Sequence, residues 1–348
     1  MVLRAVNGVM SRPKASSVSA PKFSTLGAGA LSFALSFALS FALPHGAPDV
    51  APAPAPSSYA EAVAMIARRQ AADDKVAVPG ARSILLTRGA PTARAIVLLH
   101  GLTDSPRQFE PLAYRLYADG NNVFVPRFPQ HGLRGGDARA LAALTASELR
   151  GFADSVVSEA GALGDSVVVA GLSLGGTVAA WVGQQRAIRR AVLIAPALEP
   201  GRIPSMLDRP IVGLVDRLPD VTRRSSGDPT RPDREPGFST HAVAELLELG
   251  GSVLREAARA APRTRRFVVL VNANDRTVRE SAAEALARHW ARRGAAVSVF
   301  ELPDSLRLPH NIIDPRGGRV MEAAMLDLLR ELTYGEQPSA LIRPLRVR

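Results

Sequence analysis

Apolar residues along this chain gather in short runs that alternate with longer stretches of helical spacing. Ala95–Leu99 (AIVLL), Asn122–Val125, Val167–Ala170, Ala191–Ala195 (AVLIA), Phe267–Val271 (FVVLV) and Val297–Phe300 are apolar almost without interruption. Runs of that length predict strands buried on both faces. Between them, Phe109–Asp119, Ala146–Ala160, Leu174–Gln185, Ala282–Arg293 and Val320–Leu332 repeat apolar residues at helical spacing. Strands alternating with helices predict an α/β domain with a mostly parallel central sheet flanked by helices.

One segment breaks the alternation. From about Glu199 to Pro262 there is no strand pattern: Pro, Arg, Asp and Gly dominate up to Gly237, and a helical pattern follows from His241 to Ala260. This predicts an insertion of about 199–262, capping the carboxyl ends of the strands, where ligands bind in sheets of this kind.

The first part of the chain has another character. Residues 23–43, FSTLGAGALSFALSFALSFAL, hold no charge and contain the unit SFAL three times. As a helix, about 21 residues reach roughly 30 Å, the hydrocarbon thickness of a bilayer. Arg4, Arg12, Lys14 and Lys22 precede the stretch, and no Lys or Arg follows until Arg68. That asymmetry keeps the N-terminus in the cytoplasm and exports the rest. The stretch is expected to be an uncleaved membrane anchor, with a cleaved signal segment as the competing reading. Residues 47–58 alternate Pro with small residues, an extended spacer that cannot pack a core. A short helix is expected over 59–72. The expected organisation is therefore 1–46 basic region plus anchor or signal, 47–75 spacer and short helix, 76–335 α/β domain with its insertion, and 336–348 tail, with the domain outside the cytoplasm.

Composition narrows the function. Hydrophobic residues make up 47% of the 348, enough for a substantial core. The net charge is +11, of which residues 1–46 carry +4. The remaining arginines are scattered without interleaved aromatics, which argues against nucleic acid and for a solvated basic surface; attraction to anionic lipid fits as well. With no cysteine, thiolate catalysis and Cys-ligated zinc are excluded. The histidines are dispersed without metal-ligand spacing, and no phosphate-binding or dinucleotide glycine motif occurs, so no metal and no cofactor is expected.

Gly171-Leu172-Ser173-Leu174-Gly175-Gly176 matches G-x-S-x-G and sits between a predicted strand and a predicted helix. A turn that sharp forces the serine into a strained conformation and lifts its hydroxyl above the sheet. Gly171 and Gly175 form this nucleophile elbow because side chains there would collide. The following helix N-terminus aims amide donors at developing negative charge.

With LLHGLTDSP (98–106), PRFPQHG (126–132), VNANDRTV (271–278) and LPHNIID (308–314) in that order, the chain resembles the α/β-hydrolase superfamily over residues 94–332, near its esterase, monoacylglycerol-lipase and serine-aminopeptidase-like branch. The resemblance implies a cap after the sixth strand, where 199–262 falls. Among His45, His100, His131, His241, His289 and His310, only His310 has the family's place and the order Ser…Asp…His. Asp275, directly after FVVLV, is the expected orienting acid, with Asp304 and Asp314 as competitors. The family pattern puts the oxyanion hole at the backbone amides of Leu102 and Leu174. His100 is expected to support its loop, and His131 and Arg127 either line the entrance or pack that loop.

These readings give a serine hydrolase acting on a small-molecule or lipid-like carboxylic ester through an acyl-enzyme. An acyltransferase or a serine peptidase on the same fold is the alternative, the latter needing an acid such as Glu245 or Glu248 for the substrate amine. A catalytically silent binding protein is a third reading.

Overall fold

The computed structural model describes residues 55–135, 139–201, 219–224, 233–235, 237–313, 319–335 and 341–346. The predicted anchor at 23–43 and Asp314 lie outside them. Among the described residues no helix is long and apolar enough to cross a membrane.

Each apolar run forms a strand: β2 (Ala95–Leu99), β3 (Asn122–Val125), β4 (Val167–Leu172), β5 (Arg190–Ile194), β8 (Arg266–Asn272) and β9 (Ala296–Leu302). They pair in parallel, in the order β3-β2-β4-β5-β8-β9. Two further strands close the edges antiparallel. β1 (Ile84–Leu86) pairs with β3, and β10 (Arg343–Leu345) pairs with β9. The stretch 336–348 is therefore not simply a tail.

Alternation along each strand explains why both faces are apolar. Val97, Leu99, Val169, Leu193 and Val269 pack on one side, under α1 (Tyr59–Val76), α3 (Ala146–Gly161), α4 (Leu174–Gln185), α5 (Thr240–Ala257) and α6 (Glu280–Arg292). Ile96, Leu98, Val168, Val192 and Leu270 pack on the other, under α2 (Glu110–Ala118) and α7 (Arg319–Tyr334). At the first face Trp290 stacks on Phe267 with centroids 3.9 Å apart, and its Nε1 donates to the buried Gln184.

Two expectations are corrected. The folded domain does not begin near Val76, because α1 is part of it. Ala62 and Ile66 are fully buried, and the Arg69 guanidinium pairs with Glu159 at 2.8 Å. Asp73, also buried, accepts from Ser83 and from Arg127. The second half of the predicted insertion is likewise not a roof. α5 buries Leu246, Leu249, Val253 and Ala257 in the first helical layer, and the close approach of Gly250 to Leu198 would leave an added Cβ 2.8 Å from backbone. Between β5 and α5 the described residues include a two-stranded hairpin, β6 (Thr222–Arg224) with β7 (Gly237–Ser239).

Candidate active site

Parallel strands share a direction, so the loops that follow them gather at one edge of the sheet. Leu102 follows β2, Ser173 follows β4, Asp275 follows β8 and His310 follows β9.

Ser173 has φ 57° and ψ −111°, a conformation that side chains rarely adopt, and it is almost fully buried. Its neighbours make that geometry possible. A Cβ on Gly171 would lie 2.2 Å from the Gly175 carbonyl oxygen, and one on Gly175 would lie 1.9 Å from that of Leu99. Ser173 N–H donates to Ile194, and Gly175 N–H donates to the His100 carbonyl, tying the start of α4 to the loop after β2.

The imidazole of His310 and the carboxylate of Asp275 are joined, Nδ1 to Oδ2, at 2.5 Å. The carboxylate is almost completely shielded, and its other oxygen accepts the amides of Thr277 (2.8 Å) and Val278 (3.4 Å). With Nδ1 as donor, His310 Nε2 is an acceptor; it is buried and makes no hydrogen bond, to Ser173 included. The competitor Asp304 opens a 3₁₀ turn, its backbone carbonyl accepting the Arg307 amide, and His310 Nδ1 meets Asp275 instead.

The loop after β2 is fixed from several sides. Gln108 accepts the Gly101 amide at 2.9 Å. His100 is fully buried; its Nδ1 meets the Gly101 carbonyl and its Nε2 accepts from Phe128. Those contacts define a neutral tautomer, and burial first, then the neighbouring His131, holds its pKa well below the ordinary range. His131, equally buried, is lowered to about 4, chiefly by desolvation. Both histidines are therefore packing elements of the loop. Arg127 is one too: it bonds Asp73 at 2.8 Å and the His131 carbonyl. Neither the Leu102 nor the Leu174 amide donates to a backbone carbonyl among the described residues. Glu245 accepts the Ala146 amide and Glu248 pairs with Arg255, so both acids considered for binding a substrate amine are engaged elsewhere.

Several residues that hold the site were not singled out in the sequence. Asn272 Nδ2 donates to the carbonyls of Leu308 and Pro309, and Asn274 donates to Leu308, which fixes the loop carrying His310. The far end of the insertion returns to the loop after β2. Asp233 accepts from Ser105 Oγ (2.5 Å), Arg234 pairs with Asp104 (3.3 Å), the Glu235 amide donates to Thr103, and the Glu235 carboxylate accepts the Gly132 amide. The only available signal was position: Asn272, Asn274 and Asp104 lie inside VNANDRTV and LLHGLTDSP.

A strained serine, a carboxylate-bound imidazole whose Nε2 makes no hydrogen bond, and two amides that meet no backbone carbonyl among the described residues are groups of the kind that nucleophilic acyl transfer uses. No group of acids and histidines among the described residues could hold a metal ion.

Residues 96–314 match the model of the alpha/beta hydrolase family. Among solved structures, a metagenome-derived lipolytic enzyme from work on LipS and LipT is 17% identical, with a TM-score of 0.55 over 75% of this chain and 100% of that one. The monoacylglycerol lipase of Paleococcus ferrophilus is 20% identical, with a TM-score of 0.53 over 72% and 98%. A monoglyceride lipase from Saccharomyces cerevisiae is 11% identical, with a TM-score of 0.54 over 75% and 94%. At these identities the likeness is one of fold. No curated protein matches the chain in sequence.

Proposed function

This chain belongs to the alpha/beta hydrolase family, and from that membership we propose that it is a serine hydrolase that cleaves carboxylic esters through an acyl-enzyme. One observation carries the reading: the 2.5 Å bond between Asp275 and His310 Nδ1, which leaves Nε2 free at the sheet edge where Ser173 sits on its elbow. In the proposed reaction Nε2 takes the Ser173 proton as Oγ attacks the ester carbonyl. Asp275 stabilises the imidazolium that forms. The amides of Leu102 and Leu174 donate to the developing oxyanion. The imidazolium then protonates the departing alcohol. Water repeats the sequence on the acyl-enzyme and releases the acid. The free Nε2 is consistent with this, since catalytic hydrogen bonds often tighten only around the substrate.

The substrate proposed is a small or lipid-like ester. The domain is proposed to act outside the cytoplasm, anchored or exported through residues 23–43. The test is hydrolysis of p-nitrophenyl esters of increasing acyl length by the full chain and by Ser173→Ala. Turnover that collapses in the variant supports the reading, and the preferred length separates a short-chain esterase from a lipase. A folded wild type that hydrolyses no member of the series refutes ester hydrolysis and favours the acyltransferase, peptidase or silent-binder alternatives.

A further inference from the structure

The fold gathers arginines that look scattered along the chain. Register sets Arg190 opposite Val168, Ala191 opposite Phe267, and Arg266 opposite Ala296. The residues that open β5 and β8 therefore lie side by side at the amino-terminal edge of the sheet, Arg189 and Arg190 next to Arg265 and Arg266. Arg292 closes α6 just before β9. Arg189, Arg265, Arg266 and Arg292 are exposed, and among the described residues none of them makes an ion pair. Arg190 is half-buried against the Thr333 carbonyl. Its pKa is held down by burial first, and then by the like charges of Arg189, Arg266 and Arg94. Asp165, just before β4, is an exposed carboxylate on the same side, and Glu256, near the end of α5, accepts from the Gln185 amide. Helix carboxyl ends also reach this edge, and a cation in a last turn, such as Arg292, answers their partial charge. The arginines opening β5 and β8 are beyond that need.

The chain also enters the domain at this edge. β1 runs antiparallel to β3, with Leu86 opposite Val123, so β1 finishes where the parallel strands begin. Thr87 follows, and its hydroxyl is hydrogen-bonded to that of Tyr59, the first residue of α1. Immediately before Tyr59 lie the Pro/Ala spacer and the apolar span at 23–43.

We propose that the arginine edge around Arg189, Arg265, Arg266 and Arg292 is a docking face for an anionic lipid surface. Clusters of exposed Lys or Arg are attracted to anionic headgroups. The candidate active site is at the other end of the strands, about 20 Å away. Docked in this way, the domain opens its site toward water rather than toward the bilayer. Nucleic acid is the lesser fit, because the row has no exposed aromatic platform among the described residues on which bases would stack.

The test compares the full chain with a variant carrying Arg189→Gln, Arg265→Gln, Arg266→Gln and Arg292→Gln. Partition is measured on neutral phosphatidylcholine vesicles and on vesicles with about 30% phosphatidylglycerol. The apolar span and the four basic residues before it are common to both proteins, so they cancel in the comparison. The expected result is a preference for the anionic vesicles that salt abolishes and that the variant loses by about tenfold or more. Should the fourfold variant fold poorly, the double variant Arg265→Gln with Arg266→Gln, both exposed, gives the same comparison. Equal partition of the wild type onto both vesicles, a salt-insensitive preference, or an undiminished preference in a folded variant would overturn the proposal. So would tighter binding of a DNA oligonucleotide that the variant loses, which would make the edge a nucleic-acid face.

Discussion

Acid should unfold this domain through its buried histidines before its carboxylates are neutralised. His131 is fully buried and titrates near 4 in the folded protein, against 6.5 for an ordinary histidine. The unfolded chain therefore takes up the proton first. The folded state is unpenalised above about pH 6.5, loses stability as pH falls below it, and bears the whole cost by about pH 4. The difference in pKa corresponds to about 3 kcal/mol, a large part of a typical domain's stability. His100 is shifted in the same direction, and its protonation would also remove the acceptor for the Phe128 amide. The assay is urea unfolding of wild type and His131→Asn at pH 7.5 and pH 4.5. The substitution keeps a donor near the Pro129 carbonyl that Nδ1 contacts at 2.7 Å. Although the variant is expected to be less stable at pH 7.5, it should lose about 2 kcal/mol less than wild type between the two pH values. Equal acid losses in the two proteins would refute the assignment of this destabilisation to His131.

Gly175→Ala should lower the unfolding midpoint by the equivalent of about 3 kcal/mol or more, because its Cβ would have to displace the Leu99 carbonyl from 1.9 Å. Gly161→Ala, with open space around the added atom, is the control, and two equal melting curves would contradict the elbow packing. Asn272→Ala should reduce kcat on a p-nitrophenyl ester about tenfold with little change in KM, since it frees the Leu308 and Pro309 carbonyls and lets the His310 loop drift. An unchanged kcat would show that the loop holds its place without that amide.

The central sheet was legible because a parallel strand covered on both faces writes an uninterrupted apolar run. Each central run expected from the sequence became a strand: β2 and β3 with the expected bounds, β5 shifted by one residue, and β4, β8 and β9 extended by one or two residues at one or both ends. The edges were not legible. Ile84–Leu86 and Arg343–Leu345 are three residues long, and each is a strand only because a distant neighbour, β3 or β9, offers it a ladder. α1 was assigned to the spacer for a similar reason. Its docking depends on Asp73 reaching Ser83 and Arg127 and on Arg69 reaching Glu159, contacts that no local period encodes. α5 was read as part of a roof because a Pro- and Arg-rich stretch precedes it, yet its apolar stripe belongs to the layer beside α4.

The site divides along the same line. Gly171 would collide with Gly175 four residues on, so part of the elbow's steric demand is written locally, whereas the demand on Gly175 comes from Leu99 in β2 and is met by the motif rather than by any local period. His310 and Asp275 were found by their place in a resemblance, since nothing local distinguishes a histidine that will meet a carboxylate 35 residues away. The ties around the loop after β2 are less local still. Asp104 and Arg234 read as ordinary surface charges, yet Asp104 is buried and meets both Arg234 and, at 3.5 Å, Asn311 beside His310. Under the proposed mechanism, that single carboxylate links the loop bearing one oxyanion donor, the loop bearing the base and the end of the insertion. Gln108 and His100 hold the same loop from the sheet side. An oxyanion donor fixed this way has little room to reorganise as charge develops, and such preorganisation is where electrostatic catalysis draws most of its effect. On that reading the described end of the insertion has a positioning role. Through Asp233, Arg234 and Glu235 it forms part of the frame that sets where the Leu102 amide points.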